Sequence, residues 1–377
     1  MLTLFLLQTA EHVRFRKRAE LLEEEGLAAL IMAFERNSYP MPEGSFRYQS
    51  LGSLTHRNYL KRILPFVRAL GRIRAAARSS QAIYCFGLDM LLLGWLASLG
   101  LKRTLIYEVG DIREVLTGEG FKASLFRFLE RFLLARTALL VVTSKAFVTG
   151  YFYGVQGFSA LNYQVVENKL DQNWLKNLHP QEDLEVRHGL LRIGYFGVLR
   201  CRRSWEILKK AAAGGAGRLE VYIRGISRVI DLEEVGDQPY MIYGGPYVSP
   251  DELPDLYGQV DLVWACYPYQ GSKTGNWQWA KTVRFYEACF FNKPMLVQAG
   301  TEDSRVVEEY DIGLTVDMND DPGLVKERLY RISEVDLARW KRNLKNLPGD
   351  LYLHRDEHRR LAAQIRTISG SRESNNE

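Results

Sequence analysis

Short apolar runs alternate with longer amphipathic stretches from the first residue onward. Residues 4–7, 29–33, 82–85, 104–108 and 138–143 are runs of four to six residues dominated by apolar side chains. Such runs mark strands buried on both faces of a parallel sheet. Residues 13–25 (ended by Gly26), 89–99 and 121–134 carry helical periodicity, and 57–77 predicts a long basic helix. The pattern weakens between Tyr163 and Leu190 and then restarts. Strands are predicted at 191–196, 219–224, 241–244, 261–265 and 294–298. Helices are predicted at 204–212, 251–259, 282–291, 304–310, 321–332, 334–345 and 353–368. Repeated βα alternation points to an α/β fold with doubly wound parallel sheets. Two Rossmann-like domains follow, at 1–165 and 191–350, joined by a linker at 166–190. A C-terminal helix at 351–368 is expected to pack back on the first domain, with a disordered tail at 369–377.

Composition narrows the class. The chain has 377 residues, 46% hydrophobic and 25% charged, which excludes a disordered chain, a collagen-like repeat and a coiled coil. No apolar run approaches the ~20 residues that span a bilayer. The apolar residues 1–7 lack a basic leader and a small-residue cleavage site, so they are read as a first strand. Four scattered cysteines form no CxxC pair, and a reduced, cytoplasmic protein is expected.

Charge is uneven. Residues 1–180 carry 23 Lys and Arg against 15 Asp and Glu, and the remainder 27 against 30. The first half is therefore expected to face something anionic. No helix-turn-helix or basic-aromatic platform suggests nucleic acid. The stretch 57–78 holds seven Lys and Arg, no acid, and an apolar stripe of Leu60, Ile63, Leu64, Val67, Leu70 and Ile73. It reads as a membrane-surface helix, gaining about 1 kcal/mol per basic residue near anionic lipid. Phe126, Phe128, Phe132 and Leu133 of the helix at 121–134 would assist. The plainer reading is that both stripes face the core.

Ligands of open α/β sheets lie beyond the carboxyl ends of the strands. In the second domain the turn at 193–203 combines Gly194 and Gly197 with Arg200, Arg202 and Arg203. Backbone amides, a helix N-terminus and permanent positive charge suit a diphosphate; a tight turn before a solvated helix is the alternative. Arg284 and Glu287 lie three apart on the helix at 282–291, where a base would meet a phosphate and an acid the ribose hydroxyls. The alternative is a surface ion pair. The loop 267–279 would hold the sugar through Lys273 and Asn276, or act only as a lid. Tyr247, after Gly244-Gly-Pro, would line the nucleobase unless the segment is a plain turn. No Asp-x-Asp stands in a strand-end loop; Asp317–Asp321 reads as a surface turn, so no divalent metal and no cofactor are expected. Neither domain begins with GxGxxG, which disfavours a NAD-dependent oxidoreductase.

Several segments carry a resemblance, in order along most of the chain. They are Tyr107-Glu-Val-Gly-Asp-Ile112, Thr143-Ser144, Val166-Glu-Asn-Lys-Leu-Asp171, the turn at 193–203, and Thr282-Val-Arg-Phe-Tyr-Glu287 followed by Pro294. Together they resemble a GT-B glycosyltransferase, of the family-four-like kind that builds bacterial surface polysaccharides. The resemblance implies two Rossmann-like domains facing a cleft, with the acceptor bound by the first domain. The second would bind a nucleotide-diphosphate sugar of UDP or GDP type. Three departures weigh against a retaining mechanism. Trp279 stands eight residues before Glu287 where an acid is usual, Gln8–His12 replaces a Gly-Gly loop, and Gly110 replaces a His. Asp111, just past a strand, then becomes the candidate base for an inverting displacement, or else a loop carboxylate paired with Arg113. Glu11 is a second candidate base, and His12 reads as a polar loop residue. The expected protein is a glycosyltransferase (hexosyltransferase-like) peripheral to the inner face of the membrane, transferring to a lipid-linked or polysaccharide acceptor. A non-catalytic GT-B partner subunit and a sugar-nucleotide epimerase or hydrolase are the alternatives.

Overall fold

The computed structural model describes residues 1–36, 46–54, 60–175, 178, 189–215, 217–227, 229–267 and 275–374. They form two compact units, Met1–Glu167 with Asp356–Glu377, and Asn168–Arg355.

The first unit is built on a seven-stranded parallel sheet. Its strands are β1 (Leu2–Leu7), β2 (Ala28–Glu35), β3 (Gln49–Ser53), β4 (Ala82–Phe86), β5 (Thr104–Val109), β6 (Leu139–Val142) and β7 (Tyr163–Val165), in the order β3-β2-β1-β4-β5-β6-β7. The long apolar runs became the central strands, and β4, β5 and β6 are buried along their whole length. β1 pairs in parallel with both β2 and β4, Leu6 standing beside Met32 and Cys85. The strand order reverses between β1 and β4, so the loops leaving their carboxyl ends diverge and open a crevice. β3 and β7 were not foreseen. Leu51 is the one buried residue of β3, and no apolar run marks either edge.

One guanidinium ties this unit together. Arg18, in the helix Val13–Glu24, donates from Nε to both Glu108 carboxylate oxygens at 3.2 and 3.3 Å, and from Nη2 to the Val166 carbonyl at 2.9 Å. Its Nη1 lies 2.5 Å from His358 Nε2; a guanidinium only donates, so that nitrogen accepts. Tyr84 adds a fourth tie, its hydroxyl donating to Glu108 at 2.5 Å. The last helix thereby belongs to the first unit. It runs Glu357–Ser374 and sets Leu361, Ala362 and Ile365 against Phe15, Ala19 and Leu22. The expected disordered tail is thus helical through Ser374, with 375–377 outside the described residues.

The basic helix begins later than expected, at Ile63, after a single 3-10 turn Leu60–Arg62; residues 57–59 lie outside the described residues. Its apolar stripe divides. Ile73 is buried and Leu70 half-buried, while Ile63, Leu64 and Val67 are exposed. A π-helical segment, Phe147–Val155, was likewise unforeseen.

The second unit carries a six-stranded parallel sheet, β8 (Leu191–Leu199), β9 (Leu219–Ser227), β10 (Met241–Tyr243), β11 (Leu262–Trp264), β12 (Met295–Gln298) and β13 (Gly313–Val316), ordered β10-β9-β8-β11-β12-β13. Its reversal lies between β8 and β11. The expected linker does not begin as a linker. Leu170, Leu175 and Leu178 are buried with Tyr257 and Phe291, and Leu170 exchanges backbone hydrogen bonds with Tyr352 and His354 at 2.9 and 2.8 Å. Three leucines in nine residues supply enough apolar surface to anchor the segment, despite its polar neighbours.

Arg18→Met would leave Glu108 buried without its partner. Urea unfolding should show a loss of about 3–5 kcal/mol, partly recovered by adding Glu108→Gln. A loss below about 1 kcal/mol would contradict the role given to Arg18.

Candidate functional site

The second unit gathers most of the expected donor residues at the carboxyl end of β8. Gly197 lies there with φ +96°, a left-handed conformation that favours glycine. A Cβ added to it would make ordinary contacts, 3.7 Å from Arg284 Nη2 and from the Tyr247 hydroxyl. Backbone conformation, not space, therefore selects glycine.

Arg284 belongs to the helix Val283–Phe290. Thr282 caps that helix by accepting the Phe285 N–H at 3.2 Å. The Thr282 N–H in turn donates to the buried carboxylate of Asp303 at 3.1 Å, whose pKa burial pushes up to about 7. The Arg284 side chain is buried. Its Nε donates to the Phe196 carbonyl at 2.6 Å, and its guanidinium stands 5.2 Å from the ring centroids of Tyr195 and Tyr267. Nη1 is buried with no hydrogen-bond partner, and among the described residues Arg284 makes no ion pair. The surface-pair alternative fails for this reason: both members of the pair are interior.

Glu287, one turn further, is buried and accepts the Tyr257 hydroxyl at 2.7 Å. Burial raises its pKa to about 7, against the opposing pull of Tyr257 and Arg284. Tyr247 is half-buried, and its ionisation is pushed up by burial and then by the Glu287 charge. Tyr267 and Trp277 stack at 4.5 Å, while Lys273 lies outside the described residues. The Asn276 carbonyl accepts from the Trp279 and Ala280 N–H groups at 3.0 and 2.9 Å.

The three arginines after β8 separate. Arg200 is exposed. Arg202 is 79% exposed and 3.9 Å from Glu206. Arg203 is spent on structure, donating to the carbonyls of Met318 at 2.8 Å and Asp320 at 2.5 Å. Tyr195, Tyr257 and Asp303 complete the site and were not foreseen. The Thr301-x-x-Ser304 capping box was a readable sign of a helix start at Glu302, which puts Asp303 in its first turn; nothing local marked the two tyrosines.

In the first unit, Asp111 follows β5 with its side chain 64% exposed, 3.4 Å from Arg14 Nη2. A Cβ on Gly110 would fall 2.1 Å from the same guanidinium, so Arg14 occupies the space a side chain at 110 would need. Arg113, the expected partner of Asp111, sets its fork on Asp89 at 2.9 and 3.1 Å. Glu11 is buried, accepting from the Thr9 hydroxyl and from the Arg36 N–H at 2.7 Å. That bonding makes Glu11 a tie between the ends of β1 and β2, so that Asp111 is the exposed carboxylate of the two. His12 stacks on Phe15 at 4.3 Å. The residue is exposed, yet the crowding of its ring by neighbouring atoms, then the charge of Arg14, pushes its pKa down to about 4. Among the described residues no three His, Cys, Asp or Glu side chains gather as metal ligands would.

The fold is GT-B, the architecture of a large class of glycosyltransferases. No family model matches the chain. A succinoglycan biosynthesis protein, ExoL of Rhizobium meliloti strain 1021, is 26% identical over 327 residues, covering 83% of this chain and 80% of its own length. HepE of Anabaena, solved with UDP, superposes with a TM-score of 0.65 at 17% identity, over 100% of this chain and 99% of its own. WaaG, a glycosyltransferase involved in lipopolysaccharide biosynthesis, gives 0.64 at 13% identity, over 97% and 99%.

Glu287 makes stability depend on pH. Its folded pKa of about 7 exceeds the ordinary 4.5, so the folded chain holds the proton more tightly. The cost of the buried charge is absent below pH 4.5 and complete above 7, on the order of 3 kcal/mol. Relative to Glu287→Gln, the wild-type chain should lose stability as pH rises through that window. Parallel stability curves for the two proteins would contradict the assignment.

Proposed function

We propose that this chain is a glycosyltransferase of exopolysaccharide assembly. It would move a sugar from a UDP- or GDP-type nucleotide-diphosphate sugar to a lipid-linked or polysaccharide acceptor. The observation that carries the reading is Arg284, a buried guanidinium with an unpartnered Nη1 at the end of β8. A buried cation is expected to have an anionic partner, and a diphosphate oxygen is the right acceptor for it. HepE, of the same fold, has been solved with UDP, which makes UDP the first nucleotide to test.

In this reading Arg284 holds the diphosphate and Glu287 accepts the ribose hydroxyls, while Tyr247 lines the nucleoside. Gly197 lets the β8 backbone approach. The exposed Arg200 and Arg202 reach the phosphates only by moving, and Asn276 and Lys273 are left to the sugar. Asp111 serves as the base. The acceptor oxygen attacks the anomeric carbon as its proton passes to Asp111, and the bond from that carbon to the diphosphate oxygen breaks. Arginine charge and the capped helix N-terminus meet the negative charge that develops on the leaving group, with no role assigned to a metal. The buried Arg284 and Glu287 also favour this reading over a non-catalytic partner subunit.

The acceptor would be reached at a membrane surface on the cytoplasmic side. Among the described residues no helix is long and apolar enough to cross a membrane. Ile63, Leu64 and Val67 are exposed beside Lys61 and Arg68, and Phe121, Leu125 and Phe128 are exposed on the helix Phe121–Leu134. Exposed apolar side chains flanked by basic ones suit an anionic lipid surface.

Calorimetry should show Arg284→Met weakening UDP binding by roughly tenfold or more. Asp111→Asn should bind UDP as the wild type does yet transfer no sugar. Undiminished UDP binding by Arg284→Met, or an active Asp111→Asn, would overturn the corresponding role. Co-sedimentation with vesicles containing anionic lipid should fall in a Val67→Glu, Phe128→Glu double variant, and equal binding would remove the membrane contact.

A further inference from the structure

In the second unit β9 carries a guanidinium that reaches across the loop after β10. Arg224 donates from Nε to the Gly245 carbonyl at 3.1 Å, and from Nη2 to the Pro246 carbonyl and the Glu252 carboxylate, both at 2.7 Å. Its Nη1 donates to the Tyr222 hydroxyl at 3.3 Å. The other Glu252 oxygen accepts the Val248 N–H at 3.0 Å. One ion pair therefore holds backbone on both sides of Tyr247.

The loop is shaped for this grip. A Cβ on Gly244 would fall 2.5 Å from Arg224 Cδ and 2.9 Å from the Tyr222 hydroxyl, so the arginine stem fills the space a side chain would need. The Gly245 carbonyl also accepts the Gly225 N–H at 2.9 Å. Among the described residues, 244–252 form neither strand nor helix, and Val248 is 61% exposed. Without a ladder or a core of its own, the loop takes its position from the side chains that bond it.

That position matters at the end of β8. The Tyr247 hydroxyl and Arg284 Nη2 each lie 3.7 Å from the point where a Cβ on Gly197 would stand. Arg224 is bonded to the loop and not to Arg284 or Glu287, so its influence on them runs through Tyr247 and its neighbours.

We propose that Arg224, paired with Glu252, is a positioning residue for the nucleoside of the donor. It fixes the loop so that Tyr247 is in place before the nucleotide arrives. This rests on the donor-site reading of Arg284 and Glu287. A lone exposed ion pair would contribute little. Here one planar fork engages Gly245, Pro246 and Glu252 together, which a lysine ammonium could not reproduce. A wall ordered in advance spares the nucleotide the free energy of ordering it.

The test is calorimetric titration of the full chain with UDP, and with GDP if UDP does not bind, on a double-mutant cycle of Arg224→Met and Tyr247→Ala. Each single variant should weaken binding on the order of fivefold or more. The double variant should bind within about twofold of the weaker-binding single variant, because both act through one wall, whereas independent effects multiply. A merely structural brace would lower the melting temperature without that coupling. Should Arg224→Met fail to fold, Glu252→Gln takes its place in the cycle, since Glu252 is the more exposed partner. Wild-type affinity in Arg224→Met, or a double variant whose loss is the product of the two single losses, would overturn the proposal and leave Arg224 as a brace at the β9–β10 edge. A wild-type chain that binds neither UDP nor GDP would instead refute the donor reading, and this proposal with it.

Discussion

The second unit is arranged around a positive charge that it buries and leaves partly unmatched. Taking a guanidinium out of water is costly unless hydrogen bonds and counter-charge replace the lost hydration. Arg284 has one strong bond, to the Phe196 carbonyl, and two tyrosine faces. Its position is nonetheless closely determined. Thr282 and Asp303 fix the start of its helix, and the β8 carbonyl fixes its Nε. A side chain held so firmly, with a free donor, is preorganised for an anion and loses little freedom when one arrives. Glu287, poised near neutrality one turn away, suits a neutral hydroxyl donor for the same reason: accepting hydrogen bonds stabilises its charged form.

The two units share an architecture and differ in electrostatics. In the first, the buried Arg18–Glu108 pair joins the first helix to β5 and fastens the C-terminal helix through His358. Removing either partner of a buried ion pair leaves an uncompensated charge, and the His358 contact makes the last helix part of that arrangement. Function is placed where charge is unmatched, at Arg284. Structure is placed where charge is paired.

Much of this was legible in the chain. Continuous apolar runs declared the central strands, because burial on both faces leaves no room for polar alternation. The edge strands β3, β7 and β13 were not legible, since an edge takes its register from its neighbour and needs little apolar content. The segment after Glu167 was misread because three leucines were outvoted by the polar residues between them. At the site, Arg284 and Glu287 were found from their place on a helix at a strand end, but their burial was not, as charged residues are rarely interior. Arg203 shows the converse. It shares its chemistry with Arg200 and Arg202, and only the fold reveals that Met318 and Asp320 consume it. Glu11 likewise carries the right chemistry for a base and is committed to backbone.

The central claim is that the buried Arg284 is a diphosphate receptor with a ribose receptor one turn away. A crystal structure of the chain with UDP tests it most directly. The account predicts a diphosphate oxygen within hydrogen-bond distance of Arg284 Nη1 and a ribose hydroxyl on the Glu287 carboxylate. Nucleotide bound elsewhere, with Arg284 Nη1 still unpartnered, would contradict it.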